Sequence, residues 1–174
     1  MEEINIKGLL AKKIVIPEIQ REYVWGNNKE VVIQFLKDLN KKLSEHENKI
    51  NIGFLYTYEK SGNPIENYLI DGQQRFTTIF LLLVYLYKSS GISISPDFYN
   101  FGFRVRPLTE QFIATLLKNK VTDFTDLENE KWFVSDYSRD TSIKAICNLF
   151  KIFKNLNLSF TKEDIEEKIY FYKK

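Results

Sequence analysis

The chain predicts an α/β fold, with a small mixed sheet and its helices in residues 1–90 and a mostly helical part in residues 91–174. Three patterns carry that expectation. Residues 52–59 set large apolar or aromatic side chains at every second position, Lys60-Ser61-Gly62-Asn63-Pro64 breaks the run, and residues 65–70 resume it, which is the pattern of a β-hairpin. Gln73 to Lys88 is apolar almost all round, the signature of a helix at the centre of a domain. Thr109–Lys118 and Asp140–Lys154 then carry helical spacing, the second through Ile143, Ile146, Cys147 and Phe150.

Bulk properties narrow the class. The 174 residues, 44% hydrophobic and 15% aromatic, support one domain with a substantial core and a small appendage. Lys+Arg number 25 against 23 Asp+Glu, a net charge of +2, so charge by itself names no partner. Cys147 is the single cysteine, which excludes a disulfide framework and a multi-cysteine zinc site and fits a reducing, cytoplasmic compartment. Met1-Glu2-Glu3-Ile4 is acidic and lacks the apolar core of a secretory signal. The most apolar run, Ile79 to Leu86, is far shorter than the roughly 20 residues a bilayer crossing needs, so no membrane partner is expected.

Taken in order, Lys13-Ile14-Val15-Ile16 is a short strand that stops at Pro17, preceded by a short helical lead-in. Pro17 to Trp25 has no period and mixes Gln, Arg, Tyr and Trp, the mark of a shaped loop. Asn27 or Asn28 caps a helix whose apolar stripe is Val32, Phe35, Leu36, Leu39 and Leu43, with Lys37, Lys41, Lys42 and Glu45 on its solvated face. His46 has no second ligand at i+4 and reads as a surface residue. Ser89-Ser90-Gly91 ends the central helix, and Ser95-Pro96 marks a linker. Phe101, Phe103 and Val105 alternate with Gly102, Arg104 and Arg106 as a strand does. Thr161-Lys162-Glu163-Asp164 caps a last helix. The aromatic tail Tyr170-Phe171-Tyr172 before Lys173-Lys174 reads as unfinished, so either the polypeptide continues past Lys174 or a partner covers this end.

The stretch around which the chain is organised is Asp71-Gly72-Gln73-Gln74-Arg75, polar residues set between two buried runs. At a strand-to-helix junction Gly72 permits the turn and lets a ligand approach the backbone. The free N–H groups of the helix start favour an anion. Arg75 adds a planar donor suited to phosphate. Asp71 can hold a divalent metal, orient water or simply cap the helix. A capped turn and a ligand site stand level on spacing alone. In the earlier loop, Gln20 and Arg21 form a second polar pair, while Tyr23 and Trp25 are suited to stacking a base, guarding a pocket or filling a core.

Together, Ile16-Pro17-x-x-Gln20-Arg21-x-Tyr23-x-Trp25 and Asp71-Gly72-Gln73-Gln74-Arg75-x-Thr77-Thr78 resemble the DGQQR-motif family of ParB/sulfiredoxin-like domains, over about the first ninety residues. That family includes the N-terminal part of GmrSD-type modification-dependent restriction systems and the SspE phage-defence proteins. The resemblance implies a compact α/β domain whose turn binds a nucleotide, an NTP with Mg²⁺, with NTP hydrolysis coupled in some members to restriction of modified phage DNA. By position it implies catalytic roles for Asp71, Gln74 and Arg75, with Asp71 holding the metal. It implies nucleotide contacts from Gln20, Arg21, Gly72, Gln73, Arg75 and Thr78, and places Tyr23 and Trp25 as stacking or rim residues. Phe76 stands where the family commonly has leucine. A single histidine cannot supply an HNH-type nuclease site, so DNA is expected to be reached through a nuclease domain or subunit. The alternative is a non-enzymatic module that holds DNA phosphate or a partner protein through Arg104, Arg106 and the lysine-rich helix.

Overall fold

The alternating run after residue 50 and its echo before Asp71 build the middle of the sheet. A computed structural model describes residues 1–174. In it β3 (Ile50–Lys60) runs antiparallel to β4 (Glu66–Asp71), as the hairpin pattern predicts. The β-branched strand β2 (Lys13–Ile16) lies parallel to β4, and the two-residue strand β5 (Gly102–Phe103) lies parallel to β2. On the other side β6 (Ile169–Lys173) runs parallel to β3, and β1 (Glu2–Asn5) closes the edge antiparallel to β6. The result is one mixed six-stranded sheet in the order β1-β6-β3-β4-β2-β5.

Six helices accompany it: α1 (Ile6–Leu10), α2 (Lys29–Ser44), α3 (Gln73–Ser89), α4 (Pro107–Lys118), α5 (Thr141–Asn155) and α6 (Lys162–Lys168). Their starts follow local chemistry. Asp140 caps α5 by accepting from the Ile143 N–H at 2.9 Å, and Thr161 and Asp164 form a reciprocal capping box on α6. Asn28 stands at the cap of α2 but gives it no side-chain hydrogen bond.

α3 is central because its sequence leaves it no polar side, and Phe76, Ile79, Phe80, Leu82 and Leu83 are all buried. Its rings pack at a tilt against later ones, Phe76 with Phe171 of β6 at 6.5 Å and Phe80 with Phe101, just before β5, at 4.4 Å between centroids. Each such side chain stabilises the fold by about 1.5–3 kcal/mol relative to an exposed one. The inward residues of the sheet, among them Ile4, Ile14, Leu55, Leu69 and Phe171, join the same core.

Two features differ from the sequence reading. The stretch after residue 90 does hold α4, α5 and α6, but it also gives β5 and β6 to the first sheet, and one core draws on both parts of the chain. The terminal aromatics are not an uncovered tail: Ile169 and Phe171 are fully buried as inward residues of β6, flanked by β1 and β3. Their partners lie more than a hundred residues away in sequence, where local patterning carries no information.

Candidate functional site

The central turn takes its shape from Gly72. β4 ends at Asp71, whose Oδ1 accepts from the Gly72 N–H at 2.8 Å, and Gly72 adopts φ +88 as the cap of α3. A Cβ at Gly72 would lie 2.6 Å from Leu55 Cδ2 and 2.7 Å from the Phe54 carbonyl, so only glycine fits. The first-turn N–H groups of this 17-residue helix follow directly. Gln73 is only 7% exposed, and its side-chain amide takes no hydrogen bond from the chain.

Arg75 leans back across β3. Its Nη1 donates to the Ile52 carbonyl at 2.7 Å and its Nη2 to the Phe54 carbonyl at 3.1 Å. These carbonyls flank Gly53, at φ +111, where the register with β6 shifts between Asn51 and Phe54. A bulge leaves ladder groups unpaired, and the guanidinium satisfies two of them. A Cβ at Gly53 would sit 1.9 Å from Arg75 Nη1, so this glycine exists to let the arginine lie flat on the strand. The remaining donors of the guanidinium are uncommitted. Arg75 borders a cavity of about 240 Å³ walled by Phe35, Leu39 and Ile52, with Lys42 and Asp38 at its edge. Wider open clefts of about 520 and 470 Å³ lie around Asn119–Trp132 and Gly91–Val121 and touch none of the motif residues.

The loop 17–25 is fastened to α3 from inside. Gln74 Oε1 accepts from the Val24 N–H at 3.0 Å, and Gln74 Nε2 donates to the Glu22 carbonyl at 2.9 Å. Thr78 Oγ1 donates to the Gln74 carbonyl at 2.8 Å, which makes the Tyr23 hydroxyl the donor in its 2.8 Å bond to Thr78. Burial pushes the Tyr23 phenol well above its ordinary value. From the other side, the Tyr23 N–H donates to Ser142 Oγ of α5 at 3.1 Å. Gly26 touches the same helix so closely that a Cβ would fall 1.7 Å from the Ala145 carbonyl oxygen.

The structure therefore brings the two motifs together, but not through every residue the resemblance implies. Tyr23 and Thr78 are fully buried, and both hydroxyls are satisfied within the protein, so neither can stack on or contact a nucleotide. Gln74 is 4% exposed with both ends of its amide bound to loop backbone, which makes it a strut and not a group aimed at a substrate. Gln20 is half-buried, Arg21 is exposed, and neither side chain bonds to the turn. Trp25 packs edge-on against Phe35 at 5.4 Å and so stands behind the wall of the cavity. Asp71 is exposed and alone, with no cluster of three or more His, Cys, Asp or Glu in the chain that could hold a metal. A lone carboxylate fits a Mg²⁺ that arrives with nucleotide phosphates, not a resident ion.

Residues the sequence reading missed are Gly53, Phe35 and Lys42 as parts of this site; a glycine inside an alternating strand was the available signal for the first. The arginines expected to hold DNA are engaged internally. Arg104 makes a fork with Glu66 at 2.9 and 2.7 Å and donates to the Tyr68 hydroxyl at 3.0 Å. Arg106 pairs with Glu22 and lies 3.8 Å from Asp140. Arg104 and Lys13 hold the Glu66 carboxyl down at about 2.

No helix is long and apolar enough to cross a membrane. Comparison with curated proteins and with solved structures gives no match to this chain. The loop and the turn, clamped together, nevertheless sit inside a recognisable whole: the family model of the GmrSD restriction endonuclease N-terminal domain matches residues 5–173, nearly the entire chain, which belongs to that family.

Proposed function

We propose that this chain is a nucleotide-binding, NTP-hydrolysing regulatory domain of a modification-dependent restriction system, working in the cytoplasm with a nuclease domain or subunit that cuts the DNA. The observation that carries the reading is Arg75, a first-turn guanidinium pinned over Gly53 beside a cavity, with donors to spare. In this reading the N–H groups after Gly72, the unpartnered Gln73 amide, Arg75 and Lys42 take phosphate oxygens, with Gln20 and Arg21 closing from the loop. Phe35, backed by Trp25, forms an apolar wall for the base. Asp71 takes a Mg²⁺ bound to the phosphates. Gln74, Tyr23 and Thr78 act by fixing this arrangement.

Phosphate release from each of the four ribonucleoside triphosphates with Mg²⁺ tests the proposal. Arg75→Lys keeps the charge but loses the fork, and should slow turnover by about a hundredfold or more. Lys42→Ala, on the exposed side of α2, should raise KM while leaving the melting temperature unchanged. Wild-type protein should melt higher with its preferred nucleotide, by the stabilisation any native-state ligand confers. Undiminished turnover in a folded Arg75→Lys protein overturns the assignment.

A further inference from the structure

The face of the sheet turned away from the helices carries an aromatic platform that the nucleotide reading does not use. Alternation along the strands puts Phe54, Tyr56 and Tyr58 of β3 on that face with Tyr68 of β4 and Tyr172 of β6. Their rings meet in two groups along β3, Tyr172 to Phe54 at 5.5 Å and Phe54 to Tyr56 at 6.1 Å in one, Tyr58 to Tyr68 at 5.2 Å in the other. Phe54, Tyr56 and Tyr58 are 40, 37 and 45% exposed, and Ile70 beside them is 47% exposed. Four large apolar side chains on two adjacent strands form a contiguous patch, not scattered singles.

The charges around the patch indicate what covers it. Lys60 lies over the Tyr68 ring at 5.1 Å and also donates to its hydroxyl at 3.2 Å, and Lys49 lies over the Tyr170 ring at 4.9 Å. Lys13 and Arg104 reach the same face through Glu66. Of these cations Lys13 and Arg104 are paired with Glu66 and Lys49 with Glu3, which leaves Lys60 as the one without a carboxylate partner. Tyrosine is enriched in protein–protein interfaces but lysine is depleted there. Exposed rings interleaved with lysines instead match a strand of nucleic acid, whose bases stack on aromatic faces while its phosphates meet ammonium groups. A duplex hides its base faces and offers such a platform only its backbone.

We propose that this open face binds single-stranded DNA, with bases stacked on Phe54, Tyr56 and Tyr58 and the backbone passing Lys60. The outward residues of β3 succeed one another about every 6.7 Å, a repeat that an unstacked, extended strand can follow. DNA is the strand chosen because the chain belongs to a restriction endonuclease family. Tyr56 pairs with Asp71 across β3 and β4, so the platform ends at the turn proposed to take nucleotide. Strand binding is measured without nucleotide, so failure of the hydrolysis reading leaves this test standing.

The test is fluorescence anisotropy of a labelled mixed-sequence 12-nucleotide DNA, free, in duplex and as RNA of the same sequence. Wild-type protein should bind the free DNA at least tenfold tighter than the duplex or the RNA. The double variant Tyr56→Ala/Tyr58→Ala should weaken that binding by about tenfold or more while still unfolding in one cooperative transition, at a lower temperature because two ring contacts are lost. Lys60→Ala should reduce the slope of log affinity against log salt by about 0.7. Binding by the double variant equal to wild type overturns the proposal, as does duplex or RNA bound as tightly as single-stranded DNA. A wild-type dimer in sedimentation that the double variant converts to monomer, without DNA binding, assigns the face to a second copy of the chain instead.

Discussion

The loop Pro17–Gly26 and the turn Asp71–Arg75 are built in opposite ways. In the loop, the Tyr23 hydroxyl, the Tyr23 and Val24 N–H groups and the Glu22 carbonyl are all bound to α3 or α5, and Gly26 is pressed against α5. In the turn, Asp71 faces solvent, Gln73 has no partner, and Arg75 keeps donors in reserve beside a cavity. Gln73 and Gln74 make the contrast between neighbours: one amide has no partner in the chain, the other holds the loop. A motif read as a block of ligand contacts thus divides into residues that present chemistry and residues that keep the presenters in place.

The largest test of this contrast is Gly26→Ala. A Cβ driven into the Ala145 carbonyl forces helix and loop apart, and the unfolding free energy should fall by about 3 kcal/mol in urea titrations. Gly91→Ala is the control, because φ +68 strains the new residue but nothing lies within 4 Å of its Cβ, and it should cost only about 1 kcal/mol. Equal losses would break the picture of a clamped loop.

Gln74→Ala comes next. It strands the Val24 N–H and the Glu22 carbonyl and should cost about 2 kcal/mol, whereas Gln73→Ala, with no bond to lose, should cost under about 1 kcal/mol. The same denaturation curves report both, and a reversed order would exchange the two roles.

The smallest effect lies on the open face. Glu66 has its carboxyl lowered in the folded protein from about 4.5 to about 2 by Arg104 and Lys13. A lowered folded value means the stabilisation is fully present above about 4.5 and is lost as pH falls towards 2. The stability gap between wild type and Glu66→Gln should therefore be widest above pH 5 and close on acidification. A gap independent of pH would remove the carboxylate from the account of that face.

What the sequence made legible was local. The hairpin, α3, the helix in Asp140–Lys154 and the Thr161–Asp164 box all follow from patterns within a dozen residues, and the structure has each of them. What stayed hidden depends on distant neighbours. Ile169 to Lys173 alternates as a strand should, yet its partners are residues 2–5 and 50–55, so it reads as a loose aromatic end. The division of labour between Gln73 and Gln74 is likewise invisible, because identical side chains differ only in whether the 22–24 backbone lies opposite them. Arg104 and Arg106 read as free cations for the same reason, since Glu66 and Glu22 are far away in sequence.

The placement of β6 between β1 and β3 also governs how the protein comes into being. During synthesis the N-terminal strand and the first half of β3 emerge long before residues 169–173, and until then each lacks the neighbour that fills its hydrogen-bond ladder. Closing loops of this length is entropically slow, so folding waits on the last strand. A nascent chain halted short of Ile169 would leave β1 without a partner and β3 as an open sheet edge, free to pair with other chains.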